Sequence, residues 1–548
     1  MSAEDKVAFS DEKQGHDVEA VAQVISAGNE EDDIVEFDEK KDLKRGLHQR
    51  HIQMIALAGT IGTGLFLGSG EAIVQGGPLG AFLGYLITGV LVSCAVISIA
   101  ELSALVPLSG SIVRHAEYFF DPALSFAQGW NQVYSNCVGL PAEITATAVL
   151  VRFWTDVSNG VWITVFGILL LVSNLCLVRV YGELEFTFAM LKIMLIIGLI
   201  IMGLVIDLGG VAGQERIGFR YWNDPGPFVQ YLDLPGALGR FAGFWTTLAN
   251  AAYAYSGIES IASAAAETRS PRRNIPKAAR RIFWRILIFY IVAILIVTMI
   301  VPSNNPNLLA STGDATQSPF VIAANLAGIK VVPHIINAVV LTSAWSSGNS
   351  GLLIGSRTLY GIAREGHAPK IFLRCNRWGI PYVAVVFIGM FISLGYMTLD
   401  SSAASVFGWF QDLVASAALV LWIVICMVYL RFYYGCKRQG IDRSELPWAA
   451  PFQPYAAWIG LVAFSIIILT QGYSVFIHGL WDTEKFFSAY FNIPLILVLY
   501  FGFKIIKRTK MVPLDEMPIR DFIRIAQENP EPPEKPLKGW HKLEILWS

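Results

Sequence analysis

The chain has 548 residues, of which 54% are hydrophobic and only 15% charged; a soluble protein of this length carries about 25% charge, so much of this surface meets lipid rather than water. A net charge of −2, with basic residues scattered over many loops, excludes the concentrated basic face that nucleic-acid binding requires. The 6 cysteines pair at no metal-ligand spacing and indicate neither a zinc site nor a disulfide framework.

Residues 1–42 are polar and acidic and read as a disordered cytosolic tail. No apolar core lies in the first 40 residues, so no cleavable signal peptide is expected and a first transmembrane helix serves for insertion. The region 43–510 reads as one transmembrane domain, followed by a cytosolic C-terminal tail at 511–548. About 20 apolar residues span the hydrocarbon core, and twelve such segments are expected: spans 1 to 12 at roughly 53–75, 79–105, 123–153, 161–180, 188–208, 240–265, 283–301, 332–362, 380–398, 403–430, 455–477 and 486–506. The runs are continuous, unlike the alternating segments of a membrane barrel. The expected class is therefore an all-α polytopic membrane protein. Lys and Arg crowd every second loop, as at Arg272, Arg273 and Lys277 after span 6 or Arg431, Lys437 and Arg438 after span 10. By the positive-inside rule both termini then face the cytosol, which requires an even number of spans.

Interruptions carry the chemistry. Span 1 contains Gly59, Thr60, Ile61, Gly62, Thr63 and Gly64, and Gly68 follows; glycines this dense disfavour a continuous helix by about 1 kcal/mol each relative to alanine. Backbone freed inside a bilayer is tolerated only when buried or lining a watery cavity. There the N–H groups of a half-helix hold a carboxylate and unwound carbonyls hold an ammonium. The competing reading is close helix packing through the Gly64–Gly68 pair. Span 6 is interrupted at Tyr253, Ala254, Tyr255, Ser256 and Gly257, followed by Glu259. Two broken spans five apart are the pattern of an inverted-repeat transporter with its site at the bilayer midplane. The halves would be 53–208 and 240–430, with spans 11 and 12 (455–506) outside them.

Ionisable groups inside the bilayer are functional candidates by default. Lys192, Glu143 and Glu259 are expected to share the handling of protons. Glu101 reads as an interfacial residue in a structural ion pair, and Glu183 and Glu185 as members of the loop between spans 4 and 5. Tyr253, Tyr255, Phe244 and Trp245 either shape a pocket or simply pack. The polar patch on span 8, from Thr342 to Ser350, either lines the pathway or bonds neighbouring helices, with the pathway favoured.

These residues resemble a known family. The stretches "LKRGLHQRHIQMIALAGTIGTGLFLGSG", "AYSGIES" followed by "AAAETRSPRRNIPKA", and "SSGNSGLLIGSRTLYGIAREGHAPK" resemble the fungal amino acid permeases, the yeast amino acid transporter family of the amino acid–polyamine–organocation superfamily, from about Lys44 to Met511. "APFQPYAAW" at 450–458 is most similar to the dicarboxylic amino acid permease branch. The resemblance implies the five-plus-five inverted repeat of the leucine transporters and proton symport at the plasma membrane. It implies that residues 59–64 hold the substrate carboxylate and 253–257 its amino group, that Lys192 takes the place of a sodium ion, and that N-terminal lysines such as Lys13 accept ubiquitin through a ligase adaptor. No cofactor is implied. Against an acidic substrate stands the lack of an arginine at midplane to pair with it, so a broad or neutral specificity remains open. So does an amino acid sensor on the same fold. An enzyme is disfavoured, since no H-E-x-x-H or G-x-S-x-G constellation is present.

Overall fold

The structure is a computed structural model that describes residues 62–108, 112–176, 178–211, 213–260, 270–309, 318–376 and 379–531, without the side chains of 176–184. The chain divides into Met1–Lys44 and Arg45–Ser548, and every described residue belongs to the second unit. Among the described residues all regular structure is helical, as bilayer-spanning backbone must be unless it closes into a barrel.

Helix occupies each of the twelve expected segments in order. Five helices are long and apolar enough to cross a membrane unaided: Gly68–Leu105, Glu185–Asp207, Pro271–Ile300, Tyr382–Leu399 and Ala403–Arg438. A bent pair, Thr483–Tyr490 with Asn492–Lys507 at 44°, makes span 12. The long helices that fall outside this set are Pro122–Val151 (span 3), Gly236–Tyr255 (span 6) and Val332–Arg364 (span 8). Their polar residues turn inward, as described below.

Spans 1 and 2 join at Gly77, whose φ of +75° kinks the helix immediately before Pro78. Glycine is needed there on two counts. The left-handed backbone disfavours any other residue, and a Cβ would sit 2.8 Å from the Cα of Phe228 in the loop folded over the turn. Span 3 starts sharply because Asp121 accepts from the Ala123 N–H at 2.9 Å, with Pro122 at the first helical position.

The order of elements repeats. In each half a broken span is followed by a long one, then by short helices (Ile112–Phe119 in the first; Pro306–Leu309 and Pro319–Leu326 in the second), then by the long polar span 3 or 8. Spans 3 and 8 pack along one another, and spans 11 and 12 lie against spans 2, 3 and 10, outside the repeated ten.

Three boundaries differ from expectation. Span 5 begins at Val178 rather than near 188, which puts Glu185 on the helix, 2% exposed, and not in a loop. Span 7 begins at Pro271, a proline at the first helical position, and its basic first turns bury Ile275, Ala279 and Ile282 on one face. Span 10 runs on to Arg438. In all three cases a charged but amphipathic run extends the helix beyond its apolar stretch, where hydropathy reads loop. The spans thus have a basic end and an opposite end.

At the basic end residues 511–531 form a strap. The Val512 N–H donates to the Phe120 carbonyl at 2.9 Å, Gln439 donates to the carbonyls of Leu514 and Met517, both at 2.9 Å, and the Arg272 N–H donates to Glu531 at 2.6 Å. Helix Ile519–Glu528 buries Ile519, Phe522 and Ile523, with Phe522 edge-on to Tyr118 at 5.3 Å.

Candidate functional site

Within both expected breaks part of the described backbone is non-helical. Gly62 is extended (φ −135°, ψ −160°) and helix starts at Thr63; Gly59, Thr60 and Ile61 lie outside the described residues. Helix in span 6 ends at Tyr255, Ser256 turns extended (ψ 139°), and Gly257 takes φ +87°, a conformation that glycine adopts without steric penalty. The chain turns through Glu259 before helix resumes at Ser260.

The two breaks face a cavity of about 190 Å³ enclosed by spans 1, 3, 6, 8 and 10. Gly62 and Gly64 line it from span 1, and Tyr253, Ala254, Ser256, Gly257 and Glu259 from span 6. Span 1 approaches span 6 so closely that a Cβ on Gly64 would lie 2.7 Å from the Cα of Ala254. The packing and the binding readings of the glycines therefore apply to different members of the run: Gly62 opens the backbone, and Gly64 closes the helix crossing.

Glu143 is the hub. Its carboxylate accepts from Ser347 Oγ at 3.0 Å and from Thr63 Oγ1 at 3.2 Å, while the hydroxyls of Thr63 and Tyr253 are 2.9 Å apart. A single hydrogen-bonded group thus ties spans 1, 3, 6 and 8 together at the breaks. Glu259, also on the cavity wall, accepts from the Trp422 indole at 3.1 Å. Thr63 itself is fully buried behind the wall.

Two candidates lie off the cavity. Tyr255 points into the packing between spans 2, 6 and 7: its hydroxyl donates to the Tyr85 carbonyl at 3.0 Å and its ring lies 4.6 Å from that of Tyr290. It is therefore not a wall residue, because positions 253 and 255 sit about 200° apart around a helix. Lys192 is fully buried beside, not on, the wall, close enough to Glu185 and Glu143 to feel both charges. Glu101 is 1% exposed and carries the structural ion pair expected of it, with Arg443 at 2.7 Å and further bonds from Tyr429 and the Ala450 N–H, each at 2.8 Å.

The polar patch of span 8 divides. Ser347 and Ser350 line the cavity, whereas Ser346 donates to Glu185 at 2.7 Å and Asn349 accepts from Ser173 and Asn174 of span 4 at 2.5 and 2.7 Å. Trp245 donates to Thr470 and belongs to packing. What the sequence reading missed is the inner face of span 3, where Gln128, Gln132, Ser135 and Gly139 precede Glu143 on the cavity wall. Their spacing of three and four residues marks one helix face, and that signal was available.

The cavity reaches along span 3 from Glu143 to Gln128, close to the basic end. Toward the opposite end hydrogen bonds cross between the spans. Gln75 of span 1 accepts from Asn250 of span 6 at 3.0 Å, Asn250 accepts from Gln411 of span 10 at 3.2 Å, and Ser318 bonds the Phe66 carbonyl at 2.9 Å.

Residues 51–515 match the sequence model of a family described as amino acid permease. The chain is 36% identical over 518 residues to the dicarboxylic amino acid permease of Saccharomyces cerevisiae, covering 93% of this chain and 85% of that protein. It is 40% identical over 482 residues to the proline-specific permease of the same yeast, covering 86% and 77%. Among solved structures it is similar to the manganese transporter of Eremococcus coleocola, with a TM-score of 0.52 at 11% identity, over 86% of this chain and 95% of that one. That last likeness concerns the fold alone.

Proposed function

Since the chain belongs to the amino acid permease family, we propose that it is a proton-coupled symporter that imports amino acids across the plasma membrane, with its basic end and both termini in the cytosol. The observation that carries this is the cavity on which the opened backbone of two broken spans converges. The N–H groups of Thr63 and Gly64, which precede the first intrahelical bond (Leu65 N–H to the Gly62 carbonyl at 3.3 Å), sit at the positive end of the outer half of span 1; they receive the α-carboxylate. Carbonyls at the span 6 break, with Glu259 or Glu143, receive the α-ammonium.

The wall also bears on side-chain preference. Among the described residues, its titratable carboxyls are Glu143 and Glu259, and no lysine, arginine or histidine lines it. An acidic substrate side chain would meet two carboxyls and no cation, so neutral amino acids fit better. The dicarboxylic amino acid permease among the relatives keeps aspartate and glutamate as the second reading; on that reading the wall carboxyls are protonated when substrate enters. Glu143 and Lys192 handle the co-transported proton, and the hydrogen bonds across the far end, with the cavity reaching toward the basic end, support a conformation that faces the cytosol.

The test is uptake of each of the twenty labelled amino acids by transport-deficient cells at pH 5 and pH 7. Acid-stimulated accumulation of neutral amino acids above aspartate is expected. No accumulation of any of the twenty would refute transport and leave the sensor reading. Lys192→Met should lower concentrative uptake at least about tenfold while changing substrate binding less; equal loss of both would make the lysine structural.

A further inference from the structure

Glu185, which the sequence assigns to a loop, sits fully within span 5 and belongs to the same polar array as Glu143 and Lys192. We infer that Glu185 is the proton's exit residue, receiving it from Lys192 on the cytosolic side by a route separate from the substrate cavity. The inference rests on the proton-coupled reading above.

Neighbouring serines on span 8 hold the two carboxylates. Ser347 donates to Glu143 at 3.0 Å and Ser346 donates to Glu185 at 2.7 Å. Lys192, with no exposed surface, has these same two carboxylates as its charged neighbours. Glu185 and Lys192 are seven residues apart, two turns or about 10 Å along one face, and the residue between them on that face is the small, buried Ala189. Helical side chains lean toward the N-terminus of their helix, so Lys192 leans toward Glu185 and toward the basic end. The other carboxylate oxygen of Glu185, Oε1, is buried and has no hydrogen-bond partner among the described residues. A buried carboxylate held by one hydroxyl keeps an uncompensated charge away from water, and a proton arriving from Lys192 removes that charge. Glu143 lines the substrate cavity, whereas Lys192 and Glu185 do not. The array therefore leaves the cavity at Glu143 and runs behind its wall toward the start of span 5 at Val178.

The transfer balances. With the site open outward, the carboxyl of Glu143 gives its proton to the neutral amine of Lys192, leaving a carboxylate and an ammonium. With the site open inward, an N–H bond of the ammonium breaks and an O–H bond forms on Glu185, and both groups become neutral. Glu185 then releases the proton to cytosolic water and regains its charge. Lys192 ends as the amine that began the cycle, Glu143 takes its next proton from the outer solution when the site reopens outward, and one proton crosses per cycle.

The test compares wild type, Glu185→Gln and Glu185→Asp in proteoliposomes, with labelled L-proline, L-aspartate and L-lysine as probes. Two readouts are taken: accumulation driven by an imposed proton gradient, and gradient-free counterflow of internal against external substrate. The glutamine keeps the volume and an acceptor for Ser346 but takes no proton. Glu185→Gln should lose at least about tenfold in driven accumulation and its acid stimulation, counterflow should survive with at most about a threefold reduction, and Glu185→Asp should restore part of the accumulation. The inference is overturned if Glu185→Gln accumulates like wild type, if counterflow falls as far as accumulation, or if aspartate restores nothing. A wild type that runs counterflow of a probe yet does not accumulate it under the gradient would overturn proton symport itself, and this inference with it.

Discussion

The crossing of spans 1 and 6 at Gly64 makes the sharpest demand on sequence in the site, and Gly64→Ala should impair transport out of proportion to its size. The added methyl would stand 2.7 Å from the Cα of Ala254, 3.1 Å from the Tyr253 ring and 3.2 Å from the Ala254 methyl, all short of the 3.4 Å at which ordinary contact begins. Two of these neighbours belong to Ala254 and one of them is backbone, so relief requires the spans to separate. Overpacking of this kind costs about 1–3 kcal/mol, and each 1.4 kcal/mol is a factor of ten. If the strain falls on the assembled cavity, uptake should drop about five- to a hundredfold. The control is Gly361→Ala on span 8, where a Cβ meets nothing within 4 Å; alanine there should be neutral or stabilise the helix by up to about 1 kcal/mol. Initial uptake rates normalised to surface protein, together with thermal stability of the detergent-purified proteins, separate lost transport from lost protein. Wild-type uptake by Gly64→Ala, or equal damage from Gly361→Ala, would refute the reasoning.

The basic end yields two further predictions. His115, in the short helix before span 3, is fully buried with its Nε2 2.9 Å from the Val106 carbonyl; burial, aided by Arg114 and opposed by that hydrogen bond, pushes its pKa down to about 4 from 6.5. The folded value lies below the unfolded one, so the protein is most stable with the ring neutral and loses stability as pH falls from about 6.5 toward 4. By pH 5 the loss is on the order of 2 kcal/mol, and His115→Gln should show a shallower fall in melting temperature between pH 7 and pH 5; parallel slopes would refute the assignment. Phe522→Ala removes a buried ring lying against Tyr118 and Phe119. A loss of about 3–5 kcal/mol is enough to undock helix Ile519–Glu528, so limited proteolysis should cut within 519–528 at least tenfold faster than in wild type; unchanged cleavage would mean the strap is held by its hydrogen bonds alone.

The non-helical stretches at Gly62 and at Ser256–Gly257 were legible because glycine and polar residues in mid-bilayer contradict the solvent around them. Less legible was which side of a helix each candidate would take. Tyr253 and Tyr255 are alike in sequence, yet one hydroxyl reaches Thr63 beside the cavity and the other a carbonyl within the bundle. Glu185 was misplaced for a related reason: a local hydropathy window reads a carboxylate as solvent, and the hydroxyl of Ser346 that makes its burial tolerable comes from 161 residues away. The same principle explains why spans 3, 6 and 8 are the long helices that fail as independent membrane crossers. Each carries polar groups that lipid would not accept, and each finds their partners, or the cavity, only when packed against the others. Some of the residues that make these helices poor membrane segments singly line the cavity jointly, and the others bond neighbouring spans. Weak hydropathy in a helix flanked by strongly apolar spans is thus a positive sign of a solute pathway, and in this chain it points to the helices on which Glu143, Glu259 and Ser347 converge.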